Sequence, residues 1–416
     1  MHLSHPLLKP ALRRGWRDLR TVQFGATPAH AVVLGPIDTA TGSFMELLDG
    51  TRGLPLLREE AHRMGFAEGY ADLLVGRLAR AGLLDDSTGG GPGAAALRER
   101  PAVVERLRPD LGSLTVTTRE QGGAMARMAA RRASRIQVRG AGRVGAALAA
   151  VLSGAGVGQV DVVDGGSVDA ADVAPGGMPA RAVGERRDEA ARKVVRQASP
   201  GALRRSRKGP RAGSGEPGLS LVVVAPRDGL GVFAPDPAAV EQFVASGIPH
   251  LFAGVLEATG MVGPLVVPGA TACAQCVSLE RVDRDPAWPR LITQWRATRR
   301  RSSPACDLAL ATTVAGFAAT QALAFLDGTL PSAGETRWEL ALPESAWRPV
   351  PLTPHPECPC DAVNSPDRAP GPGEPASPAG EVPRGRHRPD LRGPQWQRAV
   401  DRRKRLGSLG LGGTHV

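Results

Sequence analysis

Residues 136–164, IQVRGAGRVGAALAAVLSGAGVGQVDVVD, constrain the fold more than any other stretch of this chain. IQVR reads as a strand. Gly140, Gly142 and Gly145 follow in G-x-G-x-x-G spacing, a run of small apolar residues then reads as a helix, and QVDVVD closes as a second strand ending in Asp164. In such a unit the first two glycines let the backbone approach a phosphate. The helix N-terminus stabilises the phosphate charge, and an acid about twenty residues on accepts hydrogen bonds from ribose hydroxyls. Gly140, Gly142, Arg143, Gly145 and Asp164 are therefore the candidate nucleotide-binding residues. The glycines alone leave open whether a dinucleotide or ATP is bound. They would equally permit close helix–strand packing in a fold that has lost its ligand.

Further apolar runs, LSLVVVAP and IPHLFAGVLEATGMVGPLVV, alternate with helical patterns between about Arg98 and Asp361. Strands that are apolar throughout and separated by helices imply a parallel sheet covered on both faces. At 416 residues the chain has room for two or three domains. Before Asp86, TVQFG and AHAVVLG read as a hairpin, DTATGSFMELLDG as a helix ending at Gly50, and AEGYADLLVGRLARAGLL as a helix with Tyr70, Leu73, Leu74, Leu78 and Ala81 on one face. The economical organisation is a small winged-helix-like unit over 1–88, a linker and connecting segment over 89–125 marked by DDSTGGGPGAA, an α/β domain over 126–361, and a basic disordered tail over 362–416.

The net charge of +11 would ordinarily suggest a nucleic-acid or membrane partner. Here Arg outnumbers Lys, and much of the charge sits in the insert PGALRRSRKGPRAGSGEPG and in the tail, so neither partner is expected. MHLSHPLLKP has no basic-then-apolar signal pattern, which favours the cytoplasm. LALATTVAGFAATQALAFL is long enough to cross a bilayer, but Thr312, Thr313, Thr320 and Gln321 fit a helix buried in protein better.

Two close cysteine pairs, Cys273 with Cys276 and Cys358 with Cys360, have the arrangement of a structural tetrahedral zinc site. His355 is a fifth candidate ligand, a plain loop histidine being the alternative. Cys306, at the start of the apolar helix, is either an inert buried thiol or a thiolate favoured by the helix N-terminus.

The runs LSGAGVGQVDVVDGGSVDAADVAPGG, IPHLFAGVLEATGMVGPLVVPGATACAQC and TVAGFAATQALAFLDG resemble the ThiF-type family, the adenylating relatives of ubiquitin-activating enzymes, over about Arg131–Asp361. The resemblance implies a Rossmann-like α/β domain with a parallel sheet and a zinc knuckle, ATP with magnesium as cofactor in preference to NAD, and adenylation of a C-terminal carboxylate on a peptide or small protein. It implies that Arg187 neutralises the triphosphate and that Cys306 is a potential acyl acceptor. The sequence departs from the family pattern at Pro175, where an arginine is expected, and at Arg187, where a lysine is usual. The family's magnesium acid is also missing from its place after LSLVVVAPRDG, although Asp228 is close by. HPLLKPALRRGWRDLRTVQFG and LVGRLARAGLLDD resemble the leader-peptide-binding module fused to ThiF-like proteins in thiazole/oxazole-modified peptide biosynthesis. That implies a precursor peptide and a partner cyclodehydratase, with homodimerisation as a family habit. The leading function is ATP-dependent adenylation of a carboxylate on a ribosomally made peptide or small protein, and the alternative is a catalytically inactive scaffold that delivers the peptide to a separate cyclodehydratase. A nicotinamide-dependent oxidoreductase is disfavoured because no hydride-transfer acid–base pair stands out.

Overall fold

The computed structural model describes residues 3–201, 218–297, 305–360 and 362. Residues 202–217 of the basic insert and 363–416 of the tail, both expected to lack packed structure, lie outside the described residues. The chain divides into two compact units that meet between Arg132 and Ala133.

The first unit runs β1 (Pro6–Leu8), β2 (Arg14–Trp16), β3 (Val22–Phe24), β4 (Val32–Leu34), α1 (Thr39–Glu46), α2 (Leu54–Arg63), α3 (Tyr70–Arg80) and β5 (Leu84–Asp86). β2, β3 and β4 form an antiparallel sheet in that order, and β1 pairs with β5. The expected hairpin is β3–β4, with Val22 opposite Leu34 and Phe24 opposite Val32. The Asp38 carboxylate caps α1 by accepting from the Thr41 amide at 2.7 Å. On α3 the buried stripe is Ala71, Leu74, Val75, Leu78 and Ala79. Leu73, expected on that face, lies on the opposite side and is exposed.

The glycine-rich stretch expected as a linker is ordered. Asp85 and Asp86 end β5 as buried residues, the Asp86 carboxylate accepting from the Ser4 amide at 2.7 Å and the Thr88 amide at 2.9 Å. Four helices follow: α4 (Gly91–Arg98), α5 (Pro101–Arg106), α6 (Arg108–Thr117) and α7 (Gly123–Ala133). They bury Leu97, Leu107, Leu114, Ala124 and Met128 in a small core of their own. The glycines serve contact here: Gly122, at φ +72°, lies so close to the Gly89 and Gly90 backbones that a Cβ would overlap them.

The second unit contains β6 (Arg135–Arg139), α8 (Arg143–Gly154), β7 (Gln159–Val163), α9 (Arg187–Ala198), β8 (Leu221–Val224), α10 (Leu230–Phe233), α11 (Pro237–Ala245), β9 (His250–Leu256), β10 (Thr259–Val266), α12 (Ala274–Arg284), α13 (Trp288–Ala297), α14 (Leu308–Leu326), β11 (Thr336–Ala341) and β12 (Trp347–Pro351). Its seven-stranded sheet has the order β12-β11-β10-β9-β8-β6-β7. β7, β6, β8 and β9 are parallel, as expected, and β10, β11 and β12 extend the sheet antiparallel. The run IPHLFAGVLEATGMVGPLVV is thus a hairpin turning at Glu257 and Ala258, whose φ values of +49° and +59° match the two left-handed positions of a tight hairpin turn.

Both faces of the sheet are covered. In β8, Leu221 and Val223 face the core under α8, α9 and α14, whereas Val222 faces a second core with Val240, Phe243 and Phe252. The alanines of α8 and α14 let these helices approach closely, and α14 buries Leu310, Val314, Ala318, Ala322 and Phe325. α14 is the one described helix long and apolar enough to cross a membrane. Its Gln321 is buried and accepts from the Ala333 amide at 3.2 Å, a pairing suited to protein rather than lipid surroundings.

Candidate nucleotide site and cysteine cluster

The three glycines of the turn have different duties. Gly140 leaves β6 at φ +107°, and a Cβ there would run into the Ala225 carbonyl at the end of β8. A Cβ on Gly145 would collide with the Gly140 carbonyl, whereas one on Gly142 would meet only the Arg227 side chain, 2.9 Å from its Cγ. Gly140 and Gly145 are therefore demanded by packing. Gly142, which precedes α8 at φ −74°, faces the Arg227 side chain. Asp164, just beyond β7, uses Oδ2 to accept from the Ala141 amide at 2.6 Å, which fixes the turn to the next strand.

Arg187, which the resemblance assigns to the triphosphate, is engaged by carboxylates and carbonyls in this structure. Its guanidinium is held by Asp164 (Nη1 to Oδ1, 2.9 Å), Asp172 (Nε to Oδ2, 3.2 Å) and the carbonyls of Gly165 (2.7 Å) and Ser167, and the side chain is only 7% exposed. Arg227 closes the network from β8, donating to Asp172 Oδ1 at 2.8 Å and to Asp169 Oδ2 at 2.6 Å. Arg143, at the first position of α8, donates to the carbonyls of Ala171 at 2.7 Å and Cys306 at 2.8 Å. Asp228 is occupied with the Leu230 amide at 3.0 Å, and Lys193 pairs with Glu185 at 2.6 Å. Sequence reasoning missed Asp169, Asp172 and Arg227. The available signal was their position just beyond the C-terminal ends of β7 and β8, where open parallel sheets gather their ligands.

Removing one cation from this cluster leaves carboxylates buried without their partner. Arg187→Ala is expected to lower the unfolding free energy by about 3 kcal/mol, the low end of the range for breaking a buried pair because Arg227 still serves Asp172. Arg187→Lys, which keeps the charge but loses the planar fork, should cost less. Urea denaturation of both variants measures the difference, and equal losses would show that charge alone, without the fork, is what the site uses.

Cys306 lies just before α14, half-buried, and its surroundings suit the inert thiol better than the activated thiolate. Burial raises the thiol pKa above its ordinary value. The nearby Arg143 opposes that rise, and the negative Asp307, which caps α14 through the Ala309 amide, adds to it. The helix N-terminus is already satisfied by the Asp307 carboxylate.

The other four cysteines converge. Their Sγ atoms all lie within 4.8 Å of one another, with Cys273–Cys276 at 3.7 Å, Cys273–Cys358 at 3.5 Å and Cys276–Cys360 at 3.5 Å. Four thiolates at about 2.3 Å from a tetrahedral zinc stand about 3.8 Å apart. The cluster could therefore hold zinc with little movement. Cys276 is pushed well above the ordinary thiol range by its neighbour Cys273 and by burial, and Cys358 is pushed up first by burial, so ionising this crowd calls for a cation. His355 is not a ligand: its Nε2 lies 2.8 Å from Asp283 Oδ2 on α12, and its Nδ1 accepts from the Glu357 amide at 3.2 Å. That pair ties the second cysteine loop to the helix carrying Cys276.

A glycine turn at the end of a parallel strand, an acid beyond the next strand and a four-cysteine cluster under the same sheet define a nucleotide-binding-type α/β domain. The chain belongs to the ThiF family, which matches residues 120–360. The fold is shared with solved structures: E. coli MccB with succinimide (TM-score 0.61, 13% identity, 85% of this chain and 99% of that one), the microcin C7 biosynthetic enzyme MccB with N-formylated MccA (TM-score 0.60, 13% identity, 86% and 99%) and PaaA (TM-score 0.59, 14% identity, 83% and 99%). Comparison with curated proteins returns no match.

Proposed function

We propose that this protein binds a ribosomally made peptide or small protein and presents it to a separate modifying enzyme, such as a cyclodehydratase, with its own ThiF-family domain serving as scaffold. The observation that carries this reading is the ion-pair network of Asp164, Asp169, Asp172, Arg187 and Arg227, buried at Arg187 and Asp172 and open to solvent at Arg227 and Asp169. Asp169, Asp172 and Asp164 are each committed to Arg227, Arg187 or both, and Asp228 to an amide, so these acids do not fit a magnesium-bound triphosphate. Arg227 also overhangs Gly142, where a phosphate would lie. The peptide partner is supported by the resemblance of the first unit to leader-peptide-binding modules and by the likeness of 86% of this chain to MccB, which has been solved with N-formylated MccA.

A second reading, ATP-dependent adenylation of a peptide carboxylate, is favoured by the intact turn and by Asp164, and MccB has also been solved with ATP. The deciding measurement is ATP–pyrophosphate exchange by the full-length protein, with and without a short peptide encoded beside its gene, alongside calorimetry with the same peptide. The scaffold reading expects peptide binding and no exchange above the protein-free control. Peptide-stimulated exchange would overturn it in favour of adenylation, and failure to bind the peptide would overturn both.

A further inference from the structure

Arg281, in the last turns of α12, is a cation that the fold leaves without an anion. Its guanidinium carbon stands 4.0 Å from the centre of the Phe233 ring on α10 and 4.5 Å from that of Trp288, the first residue of α13. Ring faces stabilise the charge but do not replace the oxygens that a guanidinium's N–H groups require. Nη1 is closed off from solvent and has no hydrogen-bond partner among the described residues. A buried donor in that state costs free energy, and in native folds it marks a place for a water or a ligand.

The acids close enough to act on Arg281 are committed elsewhere. Glu339, on β11, is held by Arg337 at 2.8 Å from Nε and 2.6 Å from Nη2, and Glu280 is held by Arg284 at 2.6 Å. Burial, reinforced by the positive Arg337, pulls the Arg281 pKa down to about 10 although Glu339 and Glu280 oppose the shift. Beside this cation is a cavity of about 50 Å³ lined by Ala234, Pro235, Ser278, Arg281, Ile292 and Arg296. Since about 10–15 Å³ admits one water, the cavity has room for the three heavy atoms of a carboxylate. Arg296 brings a second positive charge. It donates to the Ala234 carbonyl at 3.2 Å and is exposed, so this wall of the cavity reaches solvent.

We propose that this cavity binds a carboxylate, which Arg281 holds through its unpartnered N–H and Arg296 attracts from solvent. A planar carboxylate pairs side by side with a guanidinium fork, and its single charge balances the one uncompensated cation. The site uses no residue of the glycine turn or the cysteine cluster and does not depend on the peptide-binding reading. Two sources carry its chemistry: a small free acid, and an acidic side chain of a bound peptide.

The test follows the melting temperature of the full-length protein in sodium acetate and in sodium chloride of equal ionic strength. Acetate at about 50 mM should raise the midpoint by about 3 °C over chloride, the shift that filling a single site gives in a domain this large. Arg281→Met keeps an unbranched chain against the two rings and removes the uncompensated charge. In chloride it should melt at or above the parent, and acetate should add nothing. Ile292→Trp fills the cavity from α13 with Arg281 in place and should also abolish the response. Arg290→Met removes an exposed arginine of the same helix outside the cavity and should retain it. Calorimetry with the end-blocked tripeptides Ala-Glu-Ala and Ala-Gln-Ala separates the sources: binding of the glutamate peptide alone of the pair assigns an acidic side chain, and binding of acetate without either peptide assigns a free acid. A parent indifferent to both acetate and the glutamate peptide would overturn the proposal, and a fall in the Arg281→Met melting temperature would then assign Arg281 to a structural stack. An acetate response that survives both Arg281→Met and Ile292→Trp would overturn it as well.

Discussion

The full-length protein, purified without chelator, is expected to carry about one zinc per chain, and stripping that metal should lower its melting temperature by more than about 10 °C. Folding brings Cys273 and Cys276, at the start of α12, to Cys358 and Cys360, which follow β12. The metal therefore joins segments separated by 84 to 85 positions, and its binding free energy is available only to the folded chain. Structural zinc sites have apparent binding free energies of about 10–16 kcal/mol. A loss of even about 4 kcal/mol shifts the midpoint of a domain this size by about 10 °C. Cys273→Ser with Cys358→Ser removes one ligand from each pair and should abolish zinc in elemental analysis along with most of the stability. His355→Ala, which breaks only the tie to Asp283, should retain zinc. Full-length protein free of zinc and insensitive to chelator would refute the assignment.

Much of this architecture was legible because local chemistry and fold agree. The glycine turn could be read from its spacing between strand and helix, with Gly145 answering to the Gly140 carbonyl inside the unit and Gly140 to the Ala225 carbonyl from β8 outside it, and the cysteine cluster since close pairs announce a knuckle. The β3–β4 hairpin and the buried α14 were legible for the same reason. β11 and β12 were not, because TRWELA and WRPVP lack the alternation or apolar run that identifies a strand, and they owe their pairing to the hairpin beside them. The four helices over 91–133 were hidden by glycines that read as flexible but pack backbone on backbone. The arginine network was out of reach for another reason. Arg227 and Asp172 are 55 positions apart, and nothing local to either tells that they meet. At Cys306 the sequence left two readings open, and the cap that weighs against activation is its own neighbour, Asp307.

Substitution within the glycine turn separates what the fold requires from what a ligand would require. Gly140→Ala is expected to be strongly damaging, lowering stability by about 4 kcal/mol or preventing accumulation of soluble protein. The added Cβ meets the Ala225 carbonyl, and the φ of +107° lies in a region that L side chains avoid. Neither penalty involves nucleotide, so the loss should be the same with or without ATP. Gly142→Asp makes the opposite case. It sets a carboxylate beside Arg227, which already holds Asp169 and Asp172, at a position where backbone geometry makes no demand for glycine. In the scaffold reading this variant should retain peptide binding, with any loss of melting temperature traceable to Arg227, whose Cγ stands 2.9 Å from the new Cβ and must shift. In the adenylation reading the carboxylate stands where phosphate must lie, and pyrophosphate exchange should disappear while the fold survives. Urea denaturation and peptide titration of the two variants measure this contrast. A Gly140→Ala protein as stable as the parent would contradict the turn geometry itself, because the added Cβ stands 2.0 Å from the Ala225 carbonyl oxygen.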